Sequence, residues 1–127
     1  MESIRFYICE HCGNIITKLR DSGVKVVCCG EPMVELIPNT TDAAVEKHVP
    51  VYTRNGDILQ AQVGSVEHPM LPEHHIEWIC LQTDRGMQFA RLEPGDAPRA
   101  SFALADAEPV ALYAYCNLHG LWKADVR

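Results

Sequence analysis

The chain has 127 residues, enough for one ordinary domain or two small ones, and 17 acidic against 11 basic residues give it a net charge of −6. That acidity argues against a nucleic-acid partner, because binding phosphates needs clustered Lys and Arg. No apolar run approaches the roughly 20 residues of a membrane helix, and the N-terminus lacks the basic and long apolar regions of a signal peptide, so the expected location is the cytoplasm.

Residues 1–37 read as a small unit of their own. Phe6-Tyr7-Ile8 and Val24-Lys25-Val26-Val27 look like short strands feeding Cys9-Glu10-His11-Cys12 and the adjacent pair Cys28-Cys29, with turn signals at Gly13-Asn14 and Ser22-Gly23. In a reducing cytoplasm these thiols are metal ligands rather than disulfides. Cys-x-x-Cys in a turn aims two thiolates at one metal, and a second pair completes a tetrahedron. Here the second pair has no spacer. Neighbouring residues of an extended strand point to opposite faces, so both sulfurs reach one metal only if the backbone bends, which Gly30 assists. A zinc ribbon or a reactive dithiol are the alternatives, and sulfur ligands suit iron and zinc alike. His11 reads as a surface residue. A unit this small buries little surface, and a structural metal would supply the missing stability. Residues 38–42, Pro-Asn-Thr-Thr-Asp, read as the linker.

From residue 43 the pattern is β, apart from a possible helical turn at Ala43-Ala44-Val45-Glu46. Residues 49–53 and 58–63 flank Arg54-Asn55-Gly56-Asp57, a hairpin signal because Asn-Gly accepts positive φ. Residues 76–82 and 87–92 flank a second turn, Thr83-Asp84-Arg85-Gly86, and residues 100–104 and 110–115 flank a third expected hairpin at 105–109. With one more short strand the count reaches seven. Evenly spaced short strands predict an all-β sandwich covering 38–127.

Candidate metal ligands recur along this second unit. His48 follows Glu46-Lys47, His68 precedes Pro69-Met70, His74 and His75 open a strand, and His119 follows Cys116 by three residues. A lone histidine is usually a surface or satisfied core residue; four of them with a free cysteine in a strand-end loop point to a metal site. Spacing does not choose between His74 and His75. Cys80, mid-strand beside Trp78 and Ile79, reads as a small buried hydrophobe.

These motifs, spread over the whole chain, resemble desulfoferrodoxin, the two-iron class of superoxide reductase. Residues 5–33 are similar to its desulforedoxin-like domain. Glu46-Lys47-His48-Val49-Pro50, His68-Pro69-Met70 with Glu73-His74-His75-Ile76-Glu77-Trp78, and Cys116-Asn117-Leu118-His119-Gly120-Leu121-Trp122 are similar to its neelaredoxin-like domain. The resemblance implies two irons: one of rubredoxin type on Cys9, Cys12, Cys28 and Cys29, and a catalytic one with His48, His68, His74 and His119 in a plane and Cys116 axial. It selects His74 over His75. It further implies an immunoglobulin-like sandwich, a homodimer, a small rubredoxin as electron donor, and superoxide as substrate. Lys47 is then the local positive charge that draws superoxide to an otherwise acidic protein. Glu46 resembles the carboxylate that fills the sixth position of the oxidised iron. The competing functions are an iron electron carrier or store without turnover, and a zinc-binding interaction domain; the open coordination position with Glu46-Lys47 argues against the first, and colour separates iron from zinc.

Overall fold

The computed structural model describes residues 2–126 and divides them into two compact units, residues 2–37 and residues from Pro38 onward. The smaller unit holds a three-stranded antiparallel sheet in the order β2-β1-β5, formed by β1 (Phe6–Ile8), β2 (Ile15–Thr17) and β5 (Val34–Leu36). A two-residue ladder pairs β3 (Val27–Cys28) with β4 (Glu31–Pro32). The expected strand at 24–27 is therefore shorter than its sequence suggests: Val24, Lys25 and Val26 lie outside any strand. β-branched residues favour strands chiefly when a face is buried, and Val24 is 71% exposed. Among the described residues, Phe6 and Cys9 are the buried apolar side chains of this unit.

The larger unit is all β except for one helical turn, α1 (Val45–His48). Seven strands form two antiparallel sheets. One, ordered β10-β7-β6, contains β6 (Pro50–Asn55), β7 (Ile58–Val63) and β10 (Arg99–Ala103); the other, ordered β12-β11-β8-β9, contains β8 (Ile76–Thr83), β9 (Gly86–Arg91), β11 (Pro109–Cys116) and β12 (Gly120–Asp125). Their inner faces meet in a core of Leu59, Val63 and Phe102 from the first sheet against Ile79, Leu81 and Leu112 from the second. Each such fully buried side chain contributes about 1.5–3 kcal/mol relative to exposure. β8 and β11 are buried along nearly their whole length and take the centre of the four-stranded sheet, whereas β7 and β10 alternate as half-covered strands do.

Two hairpins form where expected, with a shifted turn in the first. Asn55 pairs with Ile58 as the last rung, so the loop is Gly56-Asp57, and Gly56 at φ +61° supplies the positive φ that a first central residue of a type II′ turn needs. The third expected hairpin does not form. β10 pairs with β7 and β11 pairs with β8 and β12, so residues 104–108 cross from one sheet to the other. Buried Leu104 and Ala107 anchor this crossing, and Asp57 accepts from the Ala105 and Asp106 N–H groups. The residues expected as a linker are also structured: Asn39 exchanges side-chain and main-chain hydrogen bonds with Lys123 on β12.

Candidate metal centres

In the small unit the four cysteine sulfurs lie within 4.8 Å of one another. Cys12 Sγ and Cys28 Sγ stand 3.6 Å apart, close to the edge of about 3.8 Å of a tetrahedron with metal–sulfur bonds near 2.3 Å. The vicinal pair is accommodated by two consecutive left-handed residues, Cys29 at φ +53° and Gly30 at φ +78°. The bend therefore falls on Cys29 itself as well as on the glycine. All four thiols are free of disulfides. Cys9 is pulled down to about 6, first by the Cys12 N–H, while Cys29 is pushed up to about 12, first by its thiol neighbour Cys9. Four sulfurs this close cannot all ionise without a cation among them. His11 lies outside the cluster, 3.2 Å from Glu31 at the surface.

The second cluster is built on the ends of elements in the larger unit. His48 closes α1, His68 follows a tight turn after β7, His74 precedes β8, Cys116 ends β11, and His119 lies in the turn to β12, where Gly120 takes φ +78°. Neighbouring rings have centroids 4.7 Å (His48–His68), 4.6 Å (His68–His74), 5.1 Å (His74–His119) and 5.0 Å (His119–His48) apart, each pair nearly perpendicular. The His48–His74 pair is 6.4 Å apart and inclined by only 30°. Four similar sides between nearly perpendicular rings, with a longer diagonal between rings closer to parallel, describe an approximate square. Cys116, fully buried, brings its Sγ within 4.8 Å of the nitrogens of His48, His68 and His74 and to 3.8 Å from His119 Nδ1.

Hydrogen bonding fixes which nitrogens face inward. His48 Nδ1–H donates to the Ala44 carbonyl at 2.7 Å and His68 Nδ1–H to the Pro69 carbonyl at 2.7 Å. Their Nε2 atoms are then unprotonated, yet they stand 3.2 Å from each other, and His48 Nε2 is also 3.2 Å from His119 Nδ1. His74 Nε2 is buried with no hydrogen-bond partner. Converging lone pairs and an orphaned buried nitrogen are costly unless a cation lies between them. Burial holds His48, His68 and His74 in the neutral form a ligand needs, with His68 lowered to about 4. Burial raises the Cys116 thiol, against the opposing Leu118 and His119 N–H groups. The donor set, neutral imidazoles and one thiol, suits iron.

His75 does not join the square; its Nδ1–H donates to the Leu71 carbonyl at 3.0 Å. Cys80 is fully buried, and its thiol is pushed up to about 12 by desolvation, as expected of a structural residue. Glu46 and Lys47 are exposed on α1, two residues before His48 and immediately before it. Sequence reasoning missed Asn117, whose side chain accepts from the His75 N–H at 2.9 Å and donates to the Glu73 carbonyl at 3.0 Å, clamping the chain on both sides of His74. It also missed Trp122, which stacks on His48 at 4.8 Å and donates to the His119 carbonyl. Both lie in the Cys116–Trp122 motif, and that adjacency was the available signal.

Two family models match the chain. The desulfoferrodoxin N-terminal domain family matches residues 1–36 and the desulfoferrodoxin family matches residues 40–125. Desulfoferrodoxin of Nitratidesulfovibrio vulgaris is 49% identical over 94% of each chain, and that of Clostridium acetobutylicum is 47% identical over 97% of each. The crystal structure of the superoxide reductase from Treponema pallidum superposes with a TM-score of 0.82 at 38% identity, covering 98% of this chain and 100% of that one. Two cysteine- and histidine-rich centres on this β framework, matched along both units, make the chain a member of the desulfoferrodoxin family.

Proposed function

We propose that this chain is a superoxide reductase, converting superoxide to hydrogen peroxide by one electron and two protons, without producing dioxygen. The observation that carries the reading is the square of four imidazoles whose lone pairs converge above a buried thiol. His48, His68, His74, His119 and Cys116 are the residues that would hold the catalytic iron, and Cys9, Cys12, Cys28 and Cys29 those that would hold a rubredoxin-type iron. An iron held in the square would supply the electron and a Lewis-acidic place for a small anion.

The residues do the remainder. Neutral imidazoles add no charge, so the Cys116 thiolate would be the single anion among the five donors and would leave a bound ferrous ion one net positive charge. The Leu118 and His119 N–H groups steady that thiolate. Sulfur donation is a lever shared with cysteine-ligated haem. Lys47, exposed beside His48, places a positive charge where superoxide must approach; the −6 of the whole chain would otherwise repel it. Exposed Glu46, Lys47 and Leu118 leave solvent at hand to deliver both protons. Glu46, exposed on α1, holds a carboxylate that would compete with the product for the iron and so help it depart.

Residues 1–37 act as the desulforedoxin-like unit and residues 38–127 as the catalytic one. The family resemblance supports a small rubredoxin as electron donor, a homodimer, and a detoxifying role in the cytoplasm. No helix among the described residues is long and apolar enough to cross a membrane.

Pulse radiolysis of the iron-loaded protein tests the reading. Superoxide should oxidise the ferrous site with stoichiometric peroxide and no dioxygen. Lys47→Ala should slow that step about tenfold, at the low end of the 10–10³ range of electrostatic steering, and most at low ionic strength; Lys47→Arg should retain most of the rate. Dioxygen release would instead indicate dismutation and sink the proposal.

A further inference from the structure

Two ligand-bearing segments are tied together main chain to main chain. One is the turn Ala44–His48; the other is the tight turn at residues 64–67 that leads to His68. Val66 donates its N–H to the Glu46 carbonyl at 2.9 Å, and the Ser65 hydroxyl donates to the same oxygen at 3.2 Å. The His68 N–H returns to the Val63 carbonyl at 2.8 Å. Gly64 is buried at this crossing. A Cβ built on it would lie 2.6 Å from Glu46 O, 3.0 Å from the Lys47 carbonyl carbon and 3.0 Å from Val49 O. All three are backbone atoms, so no flexible side chain can swing away; the α1 backbone itself would have to move.

α1 cannot hold its place alone. It has four residues and no side-chain N-cap bond, and an isolated turn is far below the length at which a helix sustains itself. What it rests on therefore decides where it stands. We propose that Gly64, with Ser65 and Val66, is a positioning element for superoxide reduction: it sets the seat of the Glu46-Lys47 turn and thereby where the Lys47 charge stands relative to the open face of the site. This rests on the reading of Lys47 as the guiding charge. The His48 ring is less affected, because the Ala44 carbonyl and the stacked Trp122 ring hold it separately. A displaced turn thus acts mainly on Glu46 and Lys47, and attraction to a charge falls with distance and is screened over about 10 Å.

The experiment is a double-mutant cycle on the iron-loaded full chain, read as the rate constant with superoxide against ionic strength. Gly64→Ala should keep the iron content and visible spectrum while slowing the reaction by about tenfold, within the roughly hundredfold that a 1 Å misplacement can cost, and should flatten its salt dependence. In a Lys47→Ala background Gly64→Ala should slow nothing further. Ser65→Ala should show a smaller slowing with the same dependence on Lys47, Ser65→Thr should restore the rate, and this pair decides the matter if Gly64→Ala does not fold. In the metal-free protein, the Val66 amide should exchange faster in either weakened variant. Equal fold-losses with and without Lys47 would mark a merely structural role and overturn the proposal, as would wild-type rates for Gly64→Ala or, should that variant not fold, for Ser65→Ala. A wild-type rate for Lys47→Ala alone would overturn the guiding-charge reading, and this inference with it.

Discussion

The two candidate metal centres differ in what holds their ligands before any metal arrives. In the small unit, Phe6 and Cys9 are the buried apolar side chains among the described residues, while Leu19, Val24, Val27 and Ile37 are more than half exposed. Of its four cysteines Cys9 is buried and Cys12 and Cys29 are exposed, so little apolar interior holds the unit without a metal, and metal binding should be coupled to its folding. In the larger unit, two sheets bury an extensive core that includes Cys116, and main-chain carbonyls and Asn117 orient the histidines. A closed tetrathiolate needs only proximity, whereas a site that must keep one face open needs a scaffold that sets ring orientation without the metal's help.

The largest effect is expected from removing a sulfur of the small unit. Cys28→Ser should release the metal of residues 1–37 and unfold that unit, with loss of amide protection at β1, β2 and β5, while the sandwich amides keep theirs. Uniform protection across the chain after metal loss would show that the small unit has a core of its own. At the other centre, Cys116→Ser should leave a folded sandwich that still holds some iron on four histidines but has lost the sulfur-to-iron colour and turnover. Retained colour and turnover would show that Cys116 does not hold the iron.

Smaller effects sharpen the contrast. Asn117→Ala removes the clamp around His74 without touching a ligand, and should weaken iron affinity or activity by about 10- to 100-fold, the usual cost of losing an outer-shell partner. Metal titration against a competing chelator reads it. Wild-type affinity and activity would show that the strand ends alone position His74. The smallest effect concerns Cys80. Burial raises its thiol from about 9 to about 12, so between these values the unfolded chain releases a proton that the native protein keeps. Its contribution to stability is present below pH 9 and declines as pH rises toward 12. Cys80→Ala should flatten that part of the alkaline stability profile, and native Cys80 should resist alkylation at pH 8. Rapid alkylation of the folded protein would contradict its burial.

β12, like β2 and β5 of the small unit, carries no clear signal, but six strands of the larger unit were legible because alternation and turn residues are local signals. Strand partners were not. Residues 100–104 and 110–115 look like a hairpin in sequence, yet β10 and β11 belong to different sheets, since a period of two says which side chains share a face and nothing about which neighbour supplies the hydrogen bonds. The Asn55-Gly56 signal marked the right bend, but cross-strand register put the loop at Gly56-Asp57.

The ligand chemistry was already written in the chain: two cysteine pairs within 37 residues, histidines beside strand ends, and a cysteine three residues before His119, because side-chain type and short-range spacing narrow the metals that can be held without choosing among them. Choosing His74 over His75 from residue spacing was beyond it. Tertiary structure alone decided that the four rings form a square with inward lone pairs and that Asn117 brackets His74. It also decided that Gly64 lies against the backbone of Glu46 and Lys47, 17 to 18 positions away in the chain. Those relations depend on where separate segments meet once the sheets close over their core, and no local pattern carries that distance.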